Sequence, residues 1–213
     1  MAALSPTLLP LGDRALLIRF STELSDAANQ AAIAAARQLK AEPLEGVAEI
    51  APGLVSVLLR LDPGTDFARL AGELRLRLRS GEDEPAGAEH TVEISFDGED
   101  LAEVAAKLGL TAPEFVVRHN AAPLRVLATG FAPGFVYCGF HGDDLVMPRR
   151  EAVRPMVPAG TVLFAAGQTA LAATPIRTGW HVIGKTTFQN FDPGRDPPTR
   201  LQPGDRLRFV EAA

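Results

Sequence analysis

The sequence predicts an α+β protein in two parts, and three observations support this prediction. First, 213 residues are enough for one large domain or two small ones. Second, the first half is rich in alanine and leucine, in helical and extended patterns. Third, most of the 19 glycines and 17 prolines lie in the second half, where they separate short apolar runs. We therefore expect an α+β domain over residues 1–96 and a β-rich domain over residues 97–213.

The first part has the predicted element order β-α-β-β-α-β. An apolar strand over 14–20 precedes an alanine-rich helix that Ser25 and Asp26 cap and that runs to Lys40. Strands over 47–50 and 54–61 flank a Pro-Gly turn. Thr65 and Asp66 cap a second helix, and a polar loop over 81–88 leads to a strand over 91–96. This order is that of the ferredoxin-like split unit.

The second part begins with two short helices and continues as strands. The helices are expected over 101–108 and 113–119, the latter with Thr111 as its cap and a proline in its first turn. Apolar runs over 124–129, 162–165, 180–183 and 206–210 alternate with Gly/Pro turns. Many short strands with regular turns favour a β-barrel or a β-sandwich.

Composition excludes several classes of function. The net charge of −5 and the lack of a basic stripe argue against nucleic-acid binding. A single cysteine, Cys138, leaves no intrachain disulfide and no cysteine-based zinc site, and His90, His141 and His181 have no metal-like spacing. With no signal peptide and no run of about 18 apolar residues, we expect a cytoplasmic protein without a metal site.

Residues 179–186 match the phosphate-loop pattern G-x-x-x-x-G-K-[ST] in letters only. A phosphate loop follows a strand and opens a helix, so that its backbone N–H groups point at the phosphates. Here the variable positions include Trp180, Val182 and Ile183, which favour a strand, and the residues that follow are poor helix formers. We therefore expect a strand that ends at a bend at Gly184.

The stretch TGFAPGFVYCGF over 129–140 is the most unusual of the chain, because four large aromatic residues and three glycines lie within twelve residues. Burial of each phenylalanine would stabilise the fold by about 1.5–3 kcal/mol, so a turn held by core aromatics is one interpretation. An aromatic wall of a small-molecule pocket is the other, and the residues alone favour neither. Without a nearby base, Cys138 is expected to be a buried, inert thiol.

Motifs along the whole chain resemble those of the family that comprises allophanate hydrolase subunit 1, KipI and the B subunit of 5-oxoprolinase. The aromatic stretch is similar to the family's GF-x-PGF-x-Y signature. Further resemblances, in the family's order, are PLGDRALL over 10–17, His119 with Arg125-Val126, MPRR over 147–150, VPAGTV over 157–162, GWHVIG over 179–184 and PGD over 203–205.

The resemblance implies a ferredoxin-like domain followed by a cyclophilin-like β-barrel. It also implies one subunit of a hetero-oligomeric, ATP-dependent 5-oxoprolinase, which opens 5-oxoproline to glutamate and is inactive as an isolated chain. The implied partners are a second carboxyltransferase-type subunit (KipA, or a protein like the C subunit of 5-oxoprolinase) and a lactam-utilisation protein, with ATP and Mg²⁺ used by the assembled enzyme. The family leaves two alternatives open: an inhibitor of a sensor histidine kinase, and a urea carboxylase or allophanate hydrolase component. If the partner is obligate, we expect an exposed apolar face on the barrel.

The chain departs from the family pattern at two places. The segment over 94–100 is shorter than usual, and Arg177-Thr178 stands where the family has Pro-Gly. Both changes put strict 5-oxoprolinase activity in question.

Eight residues are predicted to form the site. His119 and Lys185 are the catalytic candidates, as a proton-transfer group and an oxyanion partner. The substrate-binding candidates are Phe131, Pro133, Phe135, Arg149, Gln168 and Trp180, with Arg149 suited to a carboxylate. For His119 a capping role, and for Arg149, Gln168 and Lys185 a solvated surface position, are the competing interpretations.

Overall fold

A computed structural model describes residues 5–78 and 87–212 of the chain. The chain forms two compact units, Met1–Ala86 and Gly87–Ala213. Most of the loop predicted over 81–88 lies outside the described residues. None of the described helices is both long and apolar enough to cross a membrane.

The first unit contains a four-stranded antiparallel sheet and two helices. Its sheet has the order β1-β2-β4-β3. The elements are β1 (Thr7–Pro10), β2 (Ala15–Arg19), α1 (Asp26–Ala41), β3 (Val47–Pro52), β4 (Ser56–Leu61) and α2 (Phe67–Arg77). Both helices begin where the capping side chains predict: Ser25 accepts from Ala28 N–H, and Asp66 accepts from two N–H groups of the first turn.

The ferredoxin-like arrangement of residues 1–96 is not confirmed. The strand predicted over 91–96 forms as β5 (Glu89–Ile94), but it pairs in parallel with β13 (Arg206–Glu211) in the second unit. Its apolar side chains, Val92 and Ile94, are buried in that unit's core. The first sheet instead has β1 as an edge strand beside β2. The division between units thus lies before β5 and not after it.

The second unit is built on a curled, half-barrel sheet of seven strands, consistent with a cyclophilin-like fold. Its strand order is β12-β9-β10-β7-β6-β13-β5, and a two-stranded sheet pairs β11 with β8. The remaining elements are α3 (Leu101–Lys107), α4 (Ala112–His119), β6 (Leu124–Thr129), β7 (Val136–Gly139), β8 (Arg154–Val157), β9 (Thr161–Ala165), β10 (Gln168–Leu171), β11 (Ile176–Thr178) and β12 (His181–Lys185). Thr111 and Glu114 form a reciprocal capping box at the start of α4.

The edge strand β12 meets the segment that follows β5, and this contact joins the two ends of the curled sheet. Ser95 and Lys185 exchange two backbone hydrogen bonds, at N···O distances of 2.9 and 3.0 Å. The backbones approach so closely that a Cβ on Gly184 would lie 2.4 Å from Ser95 O, and one on Gly98 would lie 2.3 Å from Ile183 C. We call this contact of 95–98 with 182–185 the seam. The predicted strand in the phosphate-loop match is therefore confirmed, but it does not end at Gly184: it continues to Lys185, with a register shift between Val182 and Gly184.

A buried carboxylate anchors the seam. Asp100 accepts hydrogen bonds from Arg150 and Arg154, each at 2.6 Å, and from the backbone N–H of Val182 at 2.7 Å. Its side chain is 5% exposed. The carboxylate thus ties the start of α3, the start of β8 and the segment before β8 to the edge strand.

Side chains alternate across the sheet, and each face has its own core. Residues such as Val126, Cys138 and Phe164 pack with α3 and α4 on one face, which we call the helix face. The other face, called here the aromatic face, carries Phe135 and Trp180 and packs against β8 and β11.

Candidate functional site

The loop between β6 and β7 is held in an unusual conformation. Phe131 has φ 73°, in the left-handed region that residues other than glycine rarely adopt, and it is 72% exposed. Buried Asn190 donates to Gly134 O at 2.8 Å and thereby ties the loop to residues 190–201. A Cβ on Gly134 would lie 2.4 Å from Phe191 Cβ, so only glycine fits this turn. The loop therefore presents its aromatic tip from a rigid base.

A row of aromatic rings extends from that loop across the aromatic face. The ring centroids lie 5.3 Å apart for Phe131 and Phe135, 4.8 Å for Phe135 and Tyr137, and 5.9 Å for Tyr137 and Trp180. The guanidinium carbon of Arg149 lies 5.6 Å from the centroid of Trp180, within cation–π range. Burial raises the pKa of Tyr137, and the Arg149 charge offsets part of this rise. The row thus ends at an exposed cation.

Gln168 contributes an amide group to the same face. It lies two residues before Ala170, which pairs with Tyr137, and its Cγ packs over Gly139. The side chain is 5% exposed, yet its amide makes no hydrogen bond to another described residue. A nearly buried amide offers both a donor and an acceptor to a ligand.

Two histidines and a threonine form a hydrogen-bonded chain on the helix face. Thr169 Oγ1 lies 2.8 Å from His119 Nε2 and 2.8 Å from His141 Nε2. His119 Nδ1 lies 2.7 Å from Asn120 Oδ1. Because Asn120 Oδ1 only accepts, the network assigns the His119 proton to Nδ1. His119 Nε2 then accepts from the Thr169 hydroxyl, which in turn accepts from His141 Nε2–H.

The imidazoles of His119 and His141 are both neutral near pH 7. Burial among phenylalanine rings lowers the pKa of His119 to about 4. Burial, and then the neighbouring His119, lower the pKa of His141 to about 3. The ring centroids of the two histidines lie 4.8 Å apart. We call His119, Thr169 and His141 the relay.

A cavity of about 260 Å³ opens over the relay. Its lining comes from the end of α4, the start of β6 and the loop after β7, and includes Arg118, His119, Leu124, Phe140, His141 and Asp144. Arg118 and Asp144 form an ion pair at 2.9 Å on its rim. Within the described part of the chain, no three His, Cys, Asp or Glu side chains are grouped so as to hold a metal ion.

The structure brings together only part of the predicted site. Phe131, Phe135, Arg149 and Trp180 form one continuous row, and Gln168 lies on the same face.

Three predicted residues have other surroundings. Pro133 is exposed in the aromatic loop, where its carbonyl oxygen accepts from Thr174 at 3.4 Å. His119 faces the other side of the sheet, in the relay. Lys185 lies at the seam with its side chain 68% exposed and paired with Asp97. The two catalytic candidates therefore have separate partners.

Four residues of these clusters were absent from the predicted site: Tyr137, His141, Thr169 and Asn190. Tyr137 stood within the aromatic signature, and that signal was sufficient to find it. Alternation along β10 would have placed Thr169 and Gln168 on opposite faces of the sheet. No local pattern, however, pairs Thr169 with two histidines that are distant in the sequence. Burial of Cys138 is confirmed, and it raises the pKa of the thiol far above its usual range.

Comparison with known proteins places this geometry in a family. The family model described as "Carboxyltransferase domain, subdomain C and D" matches residues 6–201. The B subunit of 5-oxoprolinase from Bacillus subtilis (strain 168) is 33% identical over 217 residues, covering 94% of this chain and 90% of that protein. The B subunit of 5-oxoprolinase from Haemophilus influenzae is 30% identical and covers 95% of this chain and 96% of that protein.

Solved structures agree with the fold. TTHA0988 superposes with a TM-score of 0.84 at 34% identity over 94% of this chain, and this chain spans 40% of the TTHA0988 chain. The Kluyveromyces lactis urea amidolyase has a TM-score of 0.78 over 100% of this chain and 15% of that one, but at 15% identity this shows the fold alone. Because the family model covers nearly the whole chain and full-length relatives exceed or reach 30% identity, the chain belongs to the family of carboxyltransferase domains, subdomains C and D.

Proposed function

We propose that this chain is one subunit of an ATP-dependent 5-oxoprolinase, which opens the lactam of 5-oxoproline to glutamate together with a second carboxyltransferase-type subunit and a lactam-utilisation protein. The observation that carries the proposal is similarity over 94–95% of the chain to relatives named as the B subunit of 5-oxoprolinase. An enzyme with a B subunit has further subunits, and the counterpart of this chain in TTHA0988 is part of a much longer chain.

The chemistry of the aromatic face supports this substrate. 5-Oxoproline has an apolar ring edge, a carboxylate, and a lactam with one N–H donor and one carbonyl acceptor. Tyr137 is half-buried and offers part of its ring, and the exposed guanidinium of Arg149, over buried Trp180, suits a carboxylate. The amide of Gln168 is complementary to a lactam, because each has one acceptor and at least one donor.

Partner binding has support in the exposed apolar side chains of the second unit. Phe131, Val146, Val153 and Met156 are each more than half exposed, at 72%, 52%, 58% and 62%. Grouped exposed apolar residues are typical of surfaces that a partner covers, and three of these four lie within residues 146–156. Their presence agrees with a subunit that works in an assembly.

ATP is assigned to the partner subunits. Residues 179–186, which match the phosphate-loop pattern in letters, form the edge strand of the barrel, and the amino group of Lys185 already pairs with Asp97. A strand whose backbone N–H groups pair with its neighbours has none to offer a phosphate. This segment therefore does not fit a nucleotide, and no step of the reaction is assigned to it.

The test is reconstitution of the whole enzyme. The chain is co-expressed with its co-encoded partners, and 5-oxoproline-dependent release of ADP and glutamate is measured. We expect turnover by the complex and none by the isolated chain. No turnover by the complex, while a complex built around a known B subunit of 5-oxoprolinase is active, would overturn the proposal and return attention to the kinase-inhibitor and urea carboxylase alternatives.

A variant tests the aromatic face separately. Arg149→Lys keeps the charge but loses the planar fork, so we expect KM for 5-oxoproline to rise about tenfold with kcat little changed. Arg195→Lys, in an exposed loop, is the matched control. Equal KM values for the two variants would show that the carboxylate binds elsewhere.

A further inference from the structure

We propose that the cavity over the relay is a second small-molecule site, which takes a compact neutral ligand that presents an N–H or O–H group to Nδ1 of His141. This proposal does not depend on the proposed function, because it concerns the other face of the sheet and a ligand defined only by its chemistry.

The acceptor is defined by the hydrogen bonds of the relay. His141 Nε2 donates to Thr169, so the neutral ring has its lone pair on Nδ1. That Nδ1 makes no hydrogen bond to another described residue. It keeps some solvent exposure, whereas Nδ1 of His181 is fully buried without a partner. His141 lines the cavity, so this nitrogen is the acceptor that its ring can offer there.

The other residues of the relay disfavour the opposite tautomer of His141. If the proton of His141 were on Nδ1, its Nε2 would need a hydrogen-bond donor. The group at hydrogen-bond distance from Nε2 is the Thr169 hydroxyl, which already donates to His119. His119 in turn is committed by Asn120, at 2.7 Å. His119 is 1% exposed and Thr169 fully buried, so water does not offer alternatives to either. The buried chain thus selects one tautomer at the surface of the cavity.

Charge in the cavity favours a neutral ligand. Both histidines are uncharged near pH 7. The charged groups on the lining are Arg118 of α4 and Asp144 of the loop after β7, and they neutralise each other. The remaining walls include Leu124, Phe140 and two alanines, which favour an apolar body.

Size favours a small organic molecule over a single water. The cavity volume of about 260 Å³ is more than tenfold the ~10–15 Å³ that one water needs. A five-membered cyclic amide such as 2-pyrrolidinone combines a compact apolar ring with one N–H donor. It is the probe for the test.

The experiment uses the full chain labelled with ¹⁵N in its histidines. Long-range ¹H–¹⁵N spectra give the tautomer of each ring, and 2-pyrrolidinone is then titrated in at pH 7. We expect the Nδ1–H tautomer for His119, the Nε2–H tautomer for His141, and a saturable shift of His141 Nδ1 on addition of the probe. The opposite tautomer of His141, or no saturable shift at this nitrogen, would overturn the proposal.

Two substitutions of Thr169 separate the relay from simple packing. Thr169→Val has nearly the same shape but no hydroxyl, so we expect His141 to become a mixture of tautomers and the probe's Kd to rise as the fraction with a free Nδ1 lone pair falls, about twofold for an equal mixture. Thr169→Ser keeps the hydroxyl and is expected to keep both the Nε2–H tautomer of His141 and the Kd of the natural chain. His90→Gln, on β5 outside the cavity lining, is the control and should change neither readout. Equal affinity of the valine and serine variants would refute the role of the relay, and the tautomers of the natural chain test it even if the valine variant does not fold.

Discussion

Gly184→Ala is predicted to open the barrel seam. The added Cβ would lie 2.4 Å from Ser95 O and 3.0 Å from Cγ2 of buried Ile94. Ordinary carbon–oxygen contact begins about 1 Å farther out, so the two backbones must separate. This loses the two hydrogen bonds between Ser95 and Lys185, at about 0.5–1.5 kcal/mol each, and overpacks the core by about 1–3 kcal/mol. The free energy of unfolding should therefore fall by about 2–6 kcal/mol.

The assay is urea unfolding followed by the fluorescence of Trp180, the one tryptophan of the chain, which reports on the second unit. Gly179→Ala is the matched control, because its Cβ would meet nothing closer than Arg150 O at 3.7 Å. That variant should stay within about 1 kcal/mol of the natural chain. A loss below about 1 kcal/mol for Gly184→Ala, or equal losses for the two variants, would refute the close backbone approach.

Three further predictions concern buried groups and one turn. Because burial lowers the pKa of His119 to about 4 from its ordinary 6.5, the unfolded chain binds a proton that the folded chain refuses between these values. The contribution of His119 to the free energy of unfolding is therefore highest above pH 6.5 and falls by about 1.4 kcal/mol for each pH unit between 6.5 and 4. When urea unfolding is measured from about pH 7.5 to 4.5, the pH dependence of this free energy should be weaker by that amount in His119→Gln. Asp100→Ala leaves the half-buried Arg150 without its carboxylate, while Arg154 keeps Glu99, and should cost about 3 kcal/mol by urea unfolding; a loss below about 1 kcal/mol would contradict this account of the seam. Ala166 and Gly167 both have positive φ in the two-residue turn between β9 and β10, so Ala166→Asn should stabilise the chain by about 0.5–1 kcal/mol in thermal unfolding, whereas destabilisation would argue against this turn type.

Local patterns predicted the helices and most strands, because caps and periodicity act over a few residues. Ser25, Asp66 and Thr111 each cap a helix by side-chain hydrogen bonds, as expected. The choice of sheet for β5 is a different matter, since alternation in Val92 and Ile94 indicates a buried face but not which core buries it. Its partner β13 is more than a hundred residues away, as the pairing of Glu89 with Arg206 shows.

The residue clusters of the candidate site were predictable only where residues lie together in the sequence. The prediction of the aromatic row began from the motif over 129–140, and the resemblance to the family added Trp180 and Arg149. Asn190, which holds the aromatic loop through Gly134 O, has no signal of its own in a polar segment. Lys185 matched a motif and a chemical expectation, yet its geometry is that of a seam residue with an exposed ion pair. Letters at a spacing identify chemistry only when the backbone conformation that the chemistry needs is also present.

Strand β10 connects the two clusters, because consecutive residues of one strand serve opposite faces. Gln168 points to the aromatic face and Thr169 to the relay, and a shift of one residue in register would exchange them. The register is held by the tight turn at Ala166-Gly167 on one side and by pairing of Thr169 with Cys138 on the other. Cys138 is fully buried beside the relay strand, so its small apolar side chain contributes packing at the point where register matters most.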